Sequence, residues 1–127
     1  MDEINLFFET NPVDVIILDG RPLFDPYNIG ACLGIAPQTI RKHMGNMSDK
    51  QVVTITNMTS ADVNVTGIRK FNNRGEKFLT EPGVYKFIIK SRSENAEKFL
   101  DWIVEEVLPS IKRLTFFSSI LRPNMNI

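Results

Sequence analysis

A chain of 127 residues that is 43% hydrophobic and 24% charged holds about one domain's worth of apolar side chains and reads as a soluble globular protein. Fifteen Lys and Arg balance fifteen Asp and Glu, which excludes a global electrostatic pull toward nucleic acid and leaves only the arrangement of charge to supply one. The lone Cys32 excludes an intrachain disulfide or a thiolate metal cluster. The acidic start at Asp2 and Glu3 is unlike a signal peptide, and no apolar run approaches the roughly 20 residues that span a bilayer. The expected location is therefore the cytoplasm of a host cell, with no membrane partner.

In chain order, the β-branched run Val13–Leu18, the pair Asp19-Gly20 and Arg21–Phe24 read as two strands around a tight turn. Asp25-Pro26 reads as an N-cap and a proline at the first helical position, opening a short helix Pro26–Leu33 that Gly34 ends. Pro37 opens a second helix through Met44, stopping near Gly45-Asn46. Lys50–Thr56 reads as a strand, and Asn57–Asn64 as a polar loop. Val65–Phe71 and Glu76–Thr80 flank Asn72-Asn73-Arg74-Gly75, which predicts a hairpin with its tip near Arg74. Pro82–Ile89 fits both helical and alternating periods, and a short helix is preferred. Ser91 and Glu94 are placed for a capping box. Ala96, Phe99, Leu100, Ile103, Val107 and Leu108 then line one face of a long amphipathic helix. Pro109 is expected to kink or break it, with Ile111 and Leu114 carrying the pattern onward. The fold expected is α+β: short antiparallel strands with a hairpin, a helix-turn-helix-like pair and a long C-terminal helix. Residues 1–115 form the domain, and 116–127 an apolar tail.

Charge is segregated along this order. Residues 1–25 hold Asp2, Glu3, Glu9, Asp14, Asp19 and Asp25 against Arg21. Residues 68–92 hold Arg69, Lys70, Arg74, Lys77, Lys86, Lys90 and Arg92 against Glu76 and Glu81. The long helix carries Glu94, Glu97, Asp101, Glu105 and Glu106 against Lys98. A basic hairpin can track a phosphate backbone, or it can simply neutralise the acidic helix.

Residues Ile29–Met44 carry the most specific local pattern. A helix-turn-helix needs a small residue where its helices cross and a turn residue that accepts a left-handed backbone. It also needs inward apolar residues on both sides of that turn. Gly30, Gly34 and the set Ile29, Leu33, Ile35 and Ile40 meet those demands. One turn after Ile40 either His43 or Met44 must face inward, and Met44 is the better choice. Gln38, Thr39, Arg41 and Lys42 would then point outward, with chemistry suited to base edges and phosphates. The alternative is a plain helical hairpin with a polar outer face.

Gly83-Val84-Tyr85, Ile88-Ile89-Lys90-Ser91-Arg92-Ser93, Ala96-Glu97-Lys98-Phe99, Asp101-Trp102-Ile103 and the run Glu105-Glu106-Val107-Leu108-Pro109-Ser110-Ile111-Lys112-Arg113 resemble the BRO N-terminal domain of phage antirepressors and large DNA viruses. The likeness spans roughly residues 4–115 and is tightest in the C-terminal half. Pro82 departs from a position where the family often has Ser. The resemblance implies an α+β domain that binds DNA in proteins that relieve repression of phage genes. Many members carry a second, C-terminal domain, for which this chain is too short. By residue chemistry the signature is mostly core: Phe99, Trp102, Ile103 and Val107 face inward, and Tyr85 is a half-buried anchor. Lys90 and Arg92 either meet phosphate or pair with the acidic helix.

The DNA-contacting set expected is Gln38, Thr39, Arg41 and Lys42 from the helix pair and Arg69, Lys70, Arg74 and Lys77 from the hairpin. Catalysis is not expected. His43, the only histidine, makes no dyad with Cys32, no phosphate loop follows a strand, and Asp101, Glu105 and Glu106 read as a solvated face. No cofactor or metal is expected. The rival reading is a protein-binding antirepressor that seizes a repressor through the acidic helix or the tail, and the same tail could join copies of the chain.

Overall fold

Glu9 and Asp19, two non-glycine residues held at positive φ, each turn the chain back on itself and so set out the first three strands. The computed structural model describes residues 2–56, 74–91 and 93–113. Strands β1 (Asp2–Phe8), β2 (Asn11–Leu18), β3 (Arg21–Phe24), β4 (Val52–Ile55) and β5 (Glu76–Leu79) form one antiparallel sheet in the order β1-β2-β3-β5-β4. The β2–β3 turn is the expected Asp19-Gly20, both residues at positive φ as a two-residue hairpin requires. Strand β1 was not anticipated, although Ile4, Leu6 and Phe8 alternate inward along it. Its turn, Glu9-Thr10, lacks the glycine that usually marks a hairpin.

Only one arm of the expected hairpin, Glu76–Leu79, falls among the described residues. Strand β5 pairs with β4, Val52 opposite Leu79 and Ile55 opposite Glu76, and touches β3 only at Phe24 opposite Leu79. The sequence sets Glu76–Leu79 against the segment 65–71. That segment, Arg69 and Lys70 included, and the polar stretch 57–64 lie outside the described residues. So do Arg92 and the tail 116–127.

Helices cover one face of the sheet. They are α1 (Pro26–Leu33), α2 (Pro37–Met44), α3 (Glu81–Lys90) and α4 (Asn95–Trp102). A π-helical turn (Ile103–Val107) and a helical stretch 108–113 follow α4 without a break. The ambiguous segment near Pro82 is helical. Its N-cap Thr80 accepts from the Gly83 N–H and donates its hydroxyl proton to the Lys50 carbonyl at 2.6 Å. Thr80 so fastens α3 to the turn that precedes β4.

Beneath the helices, Val13, Val15, Ile17, Phe24 and Leu79 from the sheet meet Ile29, Leu33, Phe87, Phe99, Ile103 and Val107. Phe8 and Phe99 meet edge to face at 5.1 Å, and Trp102 closes against both rings. Each fully buried side chain of this kind contributes about 1.5–3 kcal/mol. The opposite sheet face carries a second buried cluster of Ile16, Leu18, Leu23, Ile55 and Phe78. That explains why β2 is apolar at consecutive positions.

Two further expectations change. Ser91 and Glu94 form no capping box. Ser91 ends α3 and donates to the Leu33 carbonyl, and it is Ser93 Oγ that accepts the Asn95 N–H. Pro109 does not break its helix. Proline cannot donate to the carbonyl four residues back, and its ring crowds that carbonyl. The backbone widens just ahead of it, the Leu108 N–H bonding the Ile103 carbonyl five residues back, and the helix then continues.

Candidate nucleic-acid interface

Helix α1 is stitched to the sheet before it begins. The Asp25 carboxylate caps the Tyr27 and Asn28 N–H groups, and the Asn28 side chain accepts the Asp14 N–H of β2. Gly34, at φ +72°, ends α1, and the Ile35 N–H turns back onto the Gly30 carbonyl at 2.8 Å. Helix α2 therefore crosses α1 closely. A Cβ on Gly30 would stand 2.7 Å from Ile40 Cγ1, so the small residue the sequence placed there is sterically required. Ile40 and Met44 are the side chains that α2 buries, and His43 is half-buried beside them.

With Ile40 and Met44 inward, helical geometry aims Lys42 and Gln38 away from the core. Gln38, Arg41 and Lys42 are exposed and Thr39 half-buried. Arg41 lies on one flank of that outward face and His43 on the other.

On the Arg41 flank a hollow of about 370 Å³ opens between α2, the start of α1 and β5. Arg41 and Lys77 both line it, with Tyr27 and Met44 supplying apolar wall. The helix pair and β5 therefore present cations to one common space. Arg74 is exposed, and the adjacent Gly75 also lines the hollow. Asp25 and Glu76 line it too, so its two cations are locally offset.

On the other flank, Lys90 of α3 reaches His43, Nζ to Nδ1 at 3.2 Å. An ammonium can only donate, so Nδ1 accepts and the ring proton sits on Nε2. The ring also stands edge-on to Phe87 at 5.9 Å between centroids. Burial, then the charges of Lys90 and Lys42, hold the imidazole below its ordinary basicity and keep it neutral at neutral pH. Lys90 is expected to meet phosphate or the acidic helix, and within the domain it meets this histidine.

The remaining candidates are structural. Cys32 is buried, and burial, helped by the charge of Glu9, pushes its thiol up to about 12, where it is no nucleophile. The Tyr85 hydroxyl donates to Glu81 at 2.9 Å, and burial with that bond raises it to about 12. Glu94, Glu97, Asp101, Glu105 and Glu106 are all exposed. Among the described residues no three His, Cys, Asp or Glu gather to hold a metal ion, and no helix is long and apolar enough to cross a membrane.

An uncharacterised protein of Haemophilus influenzae is 53% identical to this chain over 36 residues, which is 28% of the chain and 18% of that protein's length. No solved structure matches. The family model described as the BRO family, N-terminal domain, matches residues 12–109, which takes in β2 through the π-helical turn. That match covers most of the chain and all of its helix pair, and this protein belongs to the BRO family through its N-terminal domain.

Proposed function

We propose that the domain binds duplex DNA as a regulator of the phage-antirepressor type, with α2 as the element offered to a groove. The observation that carries this reading is the position of α2. Its outward face bears Gln38, Arg41 and Lys42, and other elements bring Lys77 to one flank and Lys90 to the other. A helix with its side chains is about 10–12 Å across, and the major groove is about 12 Å wide. A helix seated there has a phosphate strand on each side, where flanking lysines are useful. Membership in a family of DNA-binding regulatory domains supports the same reading. So does the close, three-residue connection between α1 and α2, which fits a helix-turn-helix.

In this reading Gln38 and Arg41 face base edges, while Thr39, Lys42, Arg74 and Lys77 grip phosphate, and Arg69 and Lys70 extend the contact. No catalysis, cofactor or metal is part of it, and the site of action is the host cytoplasm. Electrophoretic shifts against random and cognate-phage duplexes at two salt concentrations test it. Binding should weaken steeply with salt. No retardation of any duplex at low salt would exclude the reading.

One observation favours a second function. Val104 is 46% exposed between the acidic residues Asp101 and Glu105. An apolar side chain set among carboxylates suits a basic protein surface, such as a repressor's. The sequestering reading predicts that a charge reversal at Glu105 abolishes repressor capture and leaves the DNA shift unchanged. Deletion after Thr115 tests the tail, both as a repressor contact and as a joint between copies.

A further inference from the structure

The contact between His43 and Lys90 sets an ammonium on the acceptor nitrogen of a neutral imidazole. An ammonium rests on an imidazole with Lys42 next along the chain, and Phe87 backs the ring. The pair thus places a cation and a ring that can take up a proton within reach of one anion. We infer that His43 and Lys90 together seat one DNA phosphate, and that seating it draws one proton onto His43, so that binding tightens as pH falls. The inference rests on the DNA-binding reading and adds to it a further phosphate contact and a regulation by pH.

The chemistry runs in one direction. In the free domain Lys90 donates to Nδ1, which stays unprotonated because a second proton would set the imidazolium against Lys90 and Lys42. A phosphate oxygen between the two side chains removes that conflict. Lys90 turns its donor to the oxygen, Nδ1 takes a proton from solvent, and both nitrogens donate to one anion. His43 then binds its proton more tightly in the complex than in the free domain. Wherever the pH lies between those two states, complex formation takes up a proton and affinity rises as pH falls. The groups facing the ring are Lys42 on its own helix and Lys90 and Phe87 on α3. His43 is the only histidine, so a binding-linked titration near pH 6 has one histidine to be assigned to.

The test uses the full chain and a short random-sequence duplex. Lowering the pH from about 7.5 to about 6 should tighten wild-type binding roughly three- to tenfold. His43→Gln keeps an acceptor for Lys90 but cannot take up the proton, so its affinity should be flat over that range. Lys90→Gln should weaken binding and lower the salt slope by about 0.9, the share of one phosphate. On the wild-type chain, the imidazole NMR signals should titrate at a higher pH with saturating duplex than without it. An unchanged pH response in His43→Gln, or an imidazole titration that duplex does not move, overturns the inference while leaving DNA binding intact. Absence of binding by the wild type at either pH overturns the DNA reading itself, and this inference with it.

Discussion

Helix α2 and the helical run from α4 to residue 113 are built to opposite rules. Helix α2 buries only Ile40 and Met44 and keeps the rest of its surface for other uses. The C-terminal run buries Phe99, Ile103, Val107, Leu108 and Ile111, and its exposed residues are charged apart from Val104. One helix is an exhibit held by two side chains and a glycine; the other is a pillar of the core. Substitutions in the pillar should therefore be read in stability, and those on the outward face of α2 in binding.

Four measurements press on that contrast. Phe99→Ala removes a fully buried ring that contacts Phe8 and Trp102, and should cost about 3–5 kcal/mol in a urea denaturation. A loss below 1 kcal/mol would show that the run is no pillar. Gly30→Ala drives a methyl into Ile40 and should cost about 1–3 kcal/mol in melting experiments. Because it pushes α2 off α1, it should also weaken DNA binding, joining the two readouts that the contrast otherwise separates. Arg41→Ala should weaken duplex binding by about 1 kcal/mol or more, while leaving the denaturation midpoint within about 0.5 kcal/mol of wild type. A shift of the midpoint instead would make Arg41 a structural residue.

The smallest effect is the pH dependence of folding through His43. Its folded-state basicity is below the unfolded value near 6.5, so its contribution is fully present above that value. That contribution declines as pH falls through 6.5 toward the folded value, because the unfolded chain takes up the proton first. Urea midpoints at neutral and mildly acid pH, compared with those of His43→Gln, isolate it.

Much of this was open to reading without coordinates, and the reason is local chemistry. The Asp25-Pro26 cap, the left-handed Gly34 and the opening Pro37 delimit α1 and α2 to the residue. Spacing leaves His43 and Met44 both open for the core, and the apolar side chain of Met44 is the one buried. What escaped depends on partners far apart in the chain. Val52 with Leu79 is a pairing no local pattern announces, which is why β4 was not foreseen beside β5. Lys90 lies 47 residues from His43, and their contact exists only because α3 packs beside α2. Strand β1 was the exception, since the alternation of Ile4, Leu6 and Phe8 was visible but its Glu9-Thr10 turn carried no hairpin signal.

The wide turn at Ile103–Val107 also settles a question of phase. Phe99, Ile103, Val107 and Ile111 recur every four residues, and in an unbroken α-helix each step of four overshoots a full turn by about 40°. Over three steps the stripe would wander off the sheet. A turn that holds one residue more takes up the excess, and all four side chains stay buried. The helix thus carries a one-residue surplus, as if a letter had been added to a word without moving the margin. Removing one exposed residue there, such as Val104, returns the segment to ordinary winding with Val107 and Ile111 still in line, but it sets the Pro109 ring against the carbonyl four residues back, so the deletion should keep the stripe buried at a cost of about 3 kcal/mol.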